Sequence, residues 1–159
     1  MNGMNTLLLR SLLPVIVPLL SMLQASAAEL GQPLRADGME LFYGVMPAAI
    51  IRGHPNEHSE RKMHGGVPRG SGQHHLIVSL FNVKTSQRIE DATVTASVSE
   101  AGLTPQRKPL DTMELAGTRT YGNYFSMSGP GPYRIEVDIR RHGDAKPAKA
   151  VITYSHPRR

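Results

Sequence analysis

The chain contains no cysteine and no tryptophan. Without cysteine there is no disulfide, no zinc–thiolate site and no thiol nucleophile. Aromatic residues make up 5% of the sequence, a poor supply of stacking surfaces for bases. The motifs of common catalytic sites are missing as well: no Gly-x-Ser-x-Gly elbow, no glycine-rich phosphate loop and no His-Glu-x-x-His. Gly129-Pro130-Gly131-Pro132 is rich in glycine, but its prolines remove the N–H groups that an anion nest needs. Glu90 and Asp91 are neighbours in sequence, which on a strand would point apart. These absences predict a protein that binds rather than one that catalyses. Acidic residues are also in short supply, 13 against 18 lysines and arginines, for a formal charge of +5. The basic residues are scattered, with short pairs such as Arg140-Arg141 and Arg158-Arg159. That pattern fits solubility and weak attraction to an anionic envelope surface, with no nucleic-acid partner.

Long apolar runs are absent except at the start. MNGMNTLLLRSLLPVIVPLLSMLQASAAEL has one basic residue, Arg10, an apolar run from Leu12 to Leu23, and then Ala25-Ser26-Ala27. This is the layout of a secretory signal with an A-x-A cleavage site. Pro14 and Pro18 interrupt the run, which falls short of the roughly 20 residues a bilayer span needs. The reading is therefore a signal peptide over residues 1–27, a flexible leader over 28–38 and a single domain over 39–159. Cleavage leaves no stable membrane span, and the absence of cysteine leaves no site for lipid attachment. The expected location is periplasmic or secreted.

Within 39–159 the signal is β. MELFYGV is β-prone, and MPAAII offers a second extended piece. HHLIVSLFNV is a nearly continuous apolar run, suited to a strand covered on both faces. ATVTASVS alternates, with Ala92, Val94, Ala96 and Val98 on one face. AGLTPQRKP reads as a linker, followed by the weaker strands PLDTMEL and RTYGNYFSM. Tyr121, Asn123 and Tyr124 in the latter fit a half-exposed strand. YRIEVDIRR places Tyr133, Ile135, Val137 and Ile139 inward, and AKAVITYSH closes the series with Ala150, Ile152 and Tyr154. About seven strands and no amphipathic helix predict an all-β, immunoglobulin-like antiparallel β-sandwich. Tyr133, which opens a strand just after a glycine–proline turn, matches the tyrosine corner of such domains.

VSLFNVKTSQRIEDATVTASV follows a V-x-L-x-x-x-x-T/S-x-x-x-I-x-D-A-x-V-x-A pattern. Together with GPGPYRIEVDI downstream it resembles small exported immunoglobulin-like domains of the YtkA-like and FixH type. The resemblance covers roughly Gln73 to Ile139 on the strand pattern. It implies a bacterial envelope protein linked to copper handling and oxidase assembly, with a protein partner or metal acceptor. It carries no catalytic residue with it.

The polar stretch Gly53 to Gln73 lies outside that pattern and needs its own account. It reads as a long loop, or a loop with one short helix, since Pro55 suits a first helical position and Gly65-Gly66 would stop a helix. GHPNEHSERKMHGG holds His54, His58, Met63 and His64, and His74 and His75 follow. Imidazole nitrogen binds copper, zinc, nickel or iron, while a thioether selects Cu(I). Glycines at 65, 66, 70 and 72 would let the loop fold back toward the two later histidines. The expected metal ligands are thus His54, His58, Met63, His64 and one or both of His74 and His75, with copper as the ion. On a strand His74 and His75 point to opposite faces, and the sequence leaves open which one meets the loop. Met39, Met46, Met113 and Met127 read first as apolar gap-fillers; of these Met127, at a strand end, is the best placed as a ligand. His142 reads as a turn residue and His156 as part of a tail. The alternative function is a metal-free interaction module whose loop orders on a protein partner. A pH sensor built on the histidines is a third reading.

Overall fold

The computed structural model describes residues 33–55 and 59–157, without the side chains of residues 59, 60 and 63. The expected signal peptide, residues 1–27, and the first part of the leader lie outside the described residues. Among the described residues, eight strands run antiparallel in the order β1-β2-β3-β6-β5-β4-β7-β8. They are β1 (Leu34–Ala36), β2 (Met39–Pro47), β3 (Gln73–Asn82), β4 (Thr93–Glu100), β5 (Gln106–Leu115), β6 (Thr118–Ser126), β7 (Tyr133–Arg140) and β8 (Ala148–Tyr154). Within the stretch read as leader, Leu34–Ala36 pair with β2 across an Asp37-Gly38 turn whose two residues both have positive φ, 44° and 73°. That backbone matches the twist of the flanking strands, and Asp-Gly is a common sequence for it.

The ladder folds into two facing layers because β5 belongs to both. Its first half, Gln106 to Leu110, pairs with β4, and its second half, Asp111 to Leu115, pairs with β6. One layer is β1-β2-β3-β6-β5 and the other β5-β4-β7-β8. With β2, β3, β4, β6, β7 and β8 taken as A, B, C, E, F and G, this is the immunoglobulin arrangement of ABED against CFG. The stretch AGLTPQRKP, expected as a linker, in fact supplies the start of β5, since Pro109 sits in the ladder opposite Thr95.

Alternation fills the interior as the sequence predicts. Val94, Ala96 and Val98 of β4, Tyr133, Ile135, Val137 and Ile139 of β7, and Ala148, Ala150, Ile152 and Tyr154 of β8 are buried in one cluster with Leu76, Val78 and Leu80 of β3. The Tyr133 hydroxyl donates to the Gly129 carbonyl at 2.9 Å, the tyrosine corner. A second tyrosine ties strand to loop: Tyr121 Oη accepts the Ala92 N–H at 3.0 Å and donates to the Ile89 carbonyl. Tyr121 and Tyr124 are buried on opposite faces of β6, so this strand is covered on both sides rather than half-exposed.

The second cover comes from the polar stretch. MPAAII is not a second extended piece: β2 continues to Pro47 and Ala48–Arg52 form one helical turn, α1. After the undescribed residues 56–58 come α2 (Ser59–Lys62) and a 3-10 turn, Met63–Gly65. Ala48 and Ile51 are buried against Tyr124, with Met46 and Val67 packed beside them. Burying Ile51 contributes on the order of 2 kcal/mol toward holding this cover down. Arg52 Nη1 donates to the Pro68 carbonyl, and Arg61 Nη1 donates to the carbonyls of Arg52 and His54. The segment thus lies across the outer face of β3 and β6.

Candidate metal centre

Pairing register decides what lies under that cover. His75 stands opposite Met46 on β2 and Tyr124 on β6. One step along, Ile77 stands opposite Gly44 and Gly122, and Gly122 is opposite Asp111 of β5. Met113 follows Asp111 on the same face. The outer face therefore carries a row of His75, Tyr124, Gly122, Asp111 and Met113. The bare backbone at Gly122 opens a hollow among them. A Cβ built there would lie 2.7 Å from Met113 Sδ and 2.9 Å from His75 Nε2. Sulfur and nitrogen face each other across a space that only glycine leaves empty.

His64 packs against His75 from the covering segment. It sits in the 3-10 turn with φ 55° and ψ 31°, a left-handed conformation costing a non-glycine residue roughly 1 kcal/mol. Its side chain is only 4% exposed, and its Nδ1–H donates to Asp111 Oδ2 at 3.1 Å. That bond fixes the tautomer and turns Nε2 the other way, the role a carboxylate plays behind a metal-ligating histidine. The ring centroid of His64 lies 5.3 Å from that of His75 and 5.8 Å from that of Tyr124, while His75 and Tyr124 stack at 4.5 Å.

Three ring nitrogens in this group are buried without a hydrogen-bond partner among the described residues: His64 Nε2 and both nitrogens of His75. Each such atom costs about 1–3 kcal/mol when nothing satisfies it. Burial, with the charge of His64 as a smaller contribution, lowers the His75 pKa from 6.5 to about 4. The ring is therefore neutral at physiological pH and holds a lone pair ready for a metal.

Two imidazoles and a thioether are donor types that copper accepts. Bonds of about 2 Å from two imidazoles to one ion, at a tetrahedral angle, put the ring centroids about 5 Å apart, close to the spacing found. The thioether of Met113 supplies a soft donor. Among the described residues no three His, Cys, Asp or Glu side chains converge on one point, so a hard-ligand cage is not formed here. The candidate donors are two nitrogens and a sulfur.

Of the histidines and methionine expected to bind metal, the structure brings His64 and His75 together. His74 points to the opposite face of β3, into the end of the sandwich. His54 follows α1, with its N–H bonded to the Ile51 carbonyl and its own carbonyl to Arg61. His58 and the Met63 side chain lie outside the described residues. Met113 was among the methionines read as gap-fillers, and the better-placed Met127 is instead a core residue. A signal for Met113 did exist: it shares a strand face with Asp111, and their partner strand carries a glycine. Only the register shows that this glycine lies next to His75.

The chain matches no protein-family model and no curated protein. Solved structures do share its fold. FetP from a uropathogenic E. coli, expressed recombinantly in the periplasm, aligns with a TM-score of 0.59 at 18% identity, over 80% of this chain and 93% of FetP. The copper-reconstituted P19 protein from Campylobacter jejuni aligns at 0.56 and 16% identity, over 81% and 97% of the two chains. A DUF4426 family protein from Pseudomonas aeruginosa PAO1 aligns at 0.55 and 20% identity, over 79% and 93%. A variant of FetP is also known in copper-bound form. The resemblance to YtkA-like and FixH-type domains holds at the level of the sandwich. At finer grain, the chain is similar in fold to FetP, P19 and the DUF4426 protein.

Proposed function

We propose that the protein is an exported copper-binding protein of the bacterial envelope that holds Cu(I) through His75, His64 and Met113. The observation that carries this reading is the buried, unpartnered and neutral imidazole of His75, facing a thioether across Gly122. Keeping such a group buried is costly unless something satisfies it, and a soft cation does so. The copper-containing structures of FetP and P19 support the same reading. His75 and Met113 stand on β3 and β5, the two strands that flank β6, and form the fixed half of the site. His64 stands on the covering segment, oriented by Asp111, and forms the half that can leave. A site divided in this way suits transfer of the ion to an acceptor, as envelope metal trafficking or oxidase assembly requires.

The test is a Cu(I) titration against a competing chelator, with the native protein beside a His75→Ala, Met113→Leu variant. Met113→Leu nearly conserves volume, so the sheet should keep its packing. Binding weakened at least a hundredfold in the variant is the expected result. Unchanged binding would overturn the site and leave the segment 53–73 as a docking element for a protein partner.

A further inference from the structure

The other face of β3 has its own histidine, and it is not alone. His74 is buried at the end of the sandwich where the two layers open. Its ring centroid lies 4.9 Å from that of His156, which follows β8. The pair is walled by tyrosines: Tyr133 is 5.5 Å from His156 and Tyr154 is 6.1 Å from His74, centroid to centroid. Tyr154 Oη lies 3.5 Å from His156 Nδ1. The residue expected to be tail thus packs against a buried ring.

The orientation of His74 is built in. Its Nδ1–H donates to the Gly72 carbonyl at 3.1 Å, and the same carbonyl accepts the Met127 N–H at 2.7 Å. Gly72 has φ +85°, and a Cβ there would collide with Ser128. Glycine is therefore required to aim that carbonyl. A histidine that gives one N–H to a backbone carbonyl presents its other nitrogen as a lone pair, the usual preparation of a metal ligand. Burial, opposed by that hydrogen bond and aided by the charge of His156, lowers the pKa of His74. His156 is partly exposed, which gives an ion a way in.

We propose that His74 and His156 form a second metal site, separate from His64, His75 and Met113, for a divalent ion that prefers imidazole nitrogen, with Cu(II) the strongest binder. Two rings 4.9 Å apart suit neighbouring positions on one ion, given metal–nitrogen bonds of about 2 Å. The donors are nitrogen without sulfur, which favours Cu(II) over Cu(I), and Cu(II) leads the divalent series for such ligands. His74 and His75 are adjacent in sequence and point through opposite faces of one strand. One dipeptide thereby contributes to a soft site outside the sheet and a borderline site inside it.

The test uses Cu(II) on protein carrying no affinity tag, read by histidine ring NMR and by stoichiometry against a competing chelator. Substoichiometric Cu(II) is expected to broaden the ring signals of His74 and His156 together. His156→Ala, outside the strands, should fold with an unchanged near-UV spectrum and lose one equivalent of Cu(II). His142→Ala, exposed in the turn after β7, should lose none. The His75→Ala, Met113→Leu variant should keep the equivalent that His156→Ala loses. The proposal is overturned if His156→Ala retains every equivalent, if the two rings do not broaden together, or if the outer-face variant also abolishes this binding. Because this readout is Cu(II) at His156, loss of the Cu(I) site elsewhere leaves it standing.

Discussion

The two faces of β3 place consecutive histidines in very different surroundings. His75 lies outward in the sheet, under a short helical cover, and neither of its ring nitrogens has a hydrogen-bond partner among the described residues. His74 lies inward at the end of the core, with one nitrogen held by the Gly72 carbonyl. Each face relies on a glycine: Gly122 leaves room beside a sulfur and a nitrogen, and Gly72 aims a carbonyl. The difference shows how one strand gives two neighbouring residues different environments. Inside, rigid packing of the two layers fixes the geometry. Outside, the geometry depends on a covering segment anchored by Ala48 and Ile51, the part that releases the ion in the proposed function.

The largest effect should come from acid acting on the outer face. Burial favours the neutral His75 ring, so its contribution to stability is complete above pH 6.5 and is lost as the pH falls toward its folded value of about 4. Over that window the metal-free protein should lose about 3 kcal/mol through this group. Denaturant unfolding between pH 7 and 4 measures the loss, and His75→Leu should flatten it. If the slope survives in His75→Leu, the contrast between the faces is wrongly drawn. Next in size is Gly72→Ala. A positive φ and the collision with Ser128 should cost about 2–3 kcal/mol by thermal or denaturant unfolding. The companion Gly122→Ala tests the outer hollow: its Cβ would occupy the space between Met113 Sδ and His75 Nε2. Cu(I) affinity should fall at least tenfold while the fold persists.

Asp111→Asn sharpens the comparison further. It weakens the bond that orients His64, and partners of this kind are worth about 10–100-fold in metal affinity. A Cu(I) titration should show a loss near the lower end, with no change in Cu(II) bound at His156. The smallest effect is that of Tyr133→Phe, which removes the hydroxyl bonded to Gly129. Unfolding should show a cost of about 1 kcal/mol, with Cu(I) binding on the outer face untouched.

The strand residues were legible because alternation is a local property. Tyr133, Ile135, Val137 and Ile139 announce their inward face in nine letters of sequence, and the glycine–proline turn before them announces the tyrosine corner. The helical turn at Ala48–Arg52 was less legible, because AAIIR has no cap and no period long enough to show. The crossing of β5 was hidden by Pro105 and Pro109, which read as breaks. Pro109 is tolerated because its carbonyl still accepts from Asn123 Nδ2 at 2.8 Å while its missing N–H goes unused.

By itself the sequence determined that the protein is all-β, that a histidine-rich segment interrupts it, and that any metal would be held without thiolate. Composition and period settle these matters, and both can be read one residue after another. Tertiary structure alone decided which donors meet. His75, Gly122 and Met113 are brought together by the pairing of β3 with β6 and of β6 with β5, and His74 and His156 by the closure of the sandwich end. Those contacts join positions tens of residues apart, and a shift of one residue in register would send every one of these side chains to the opposite face.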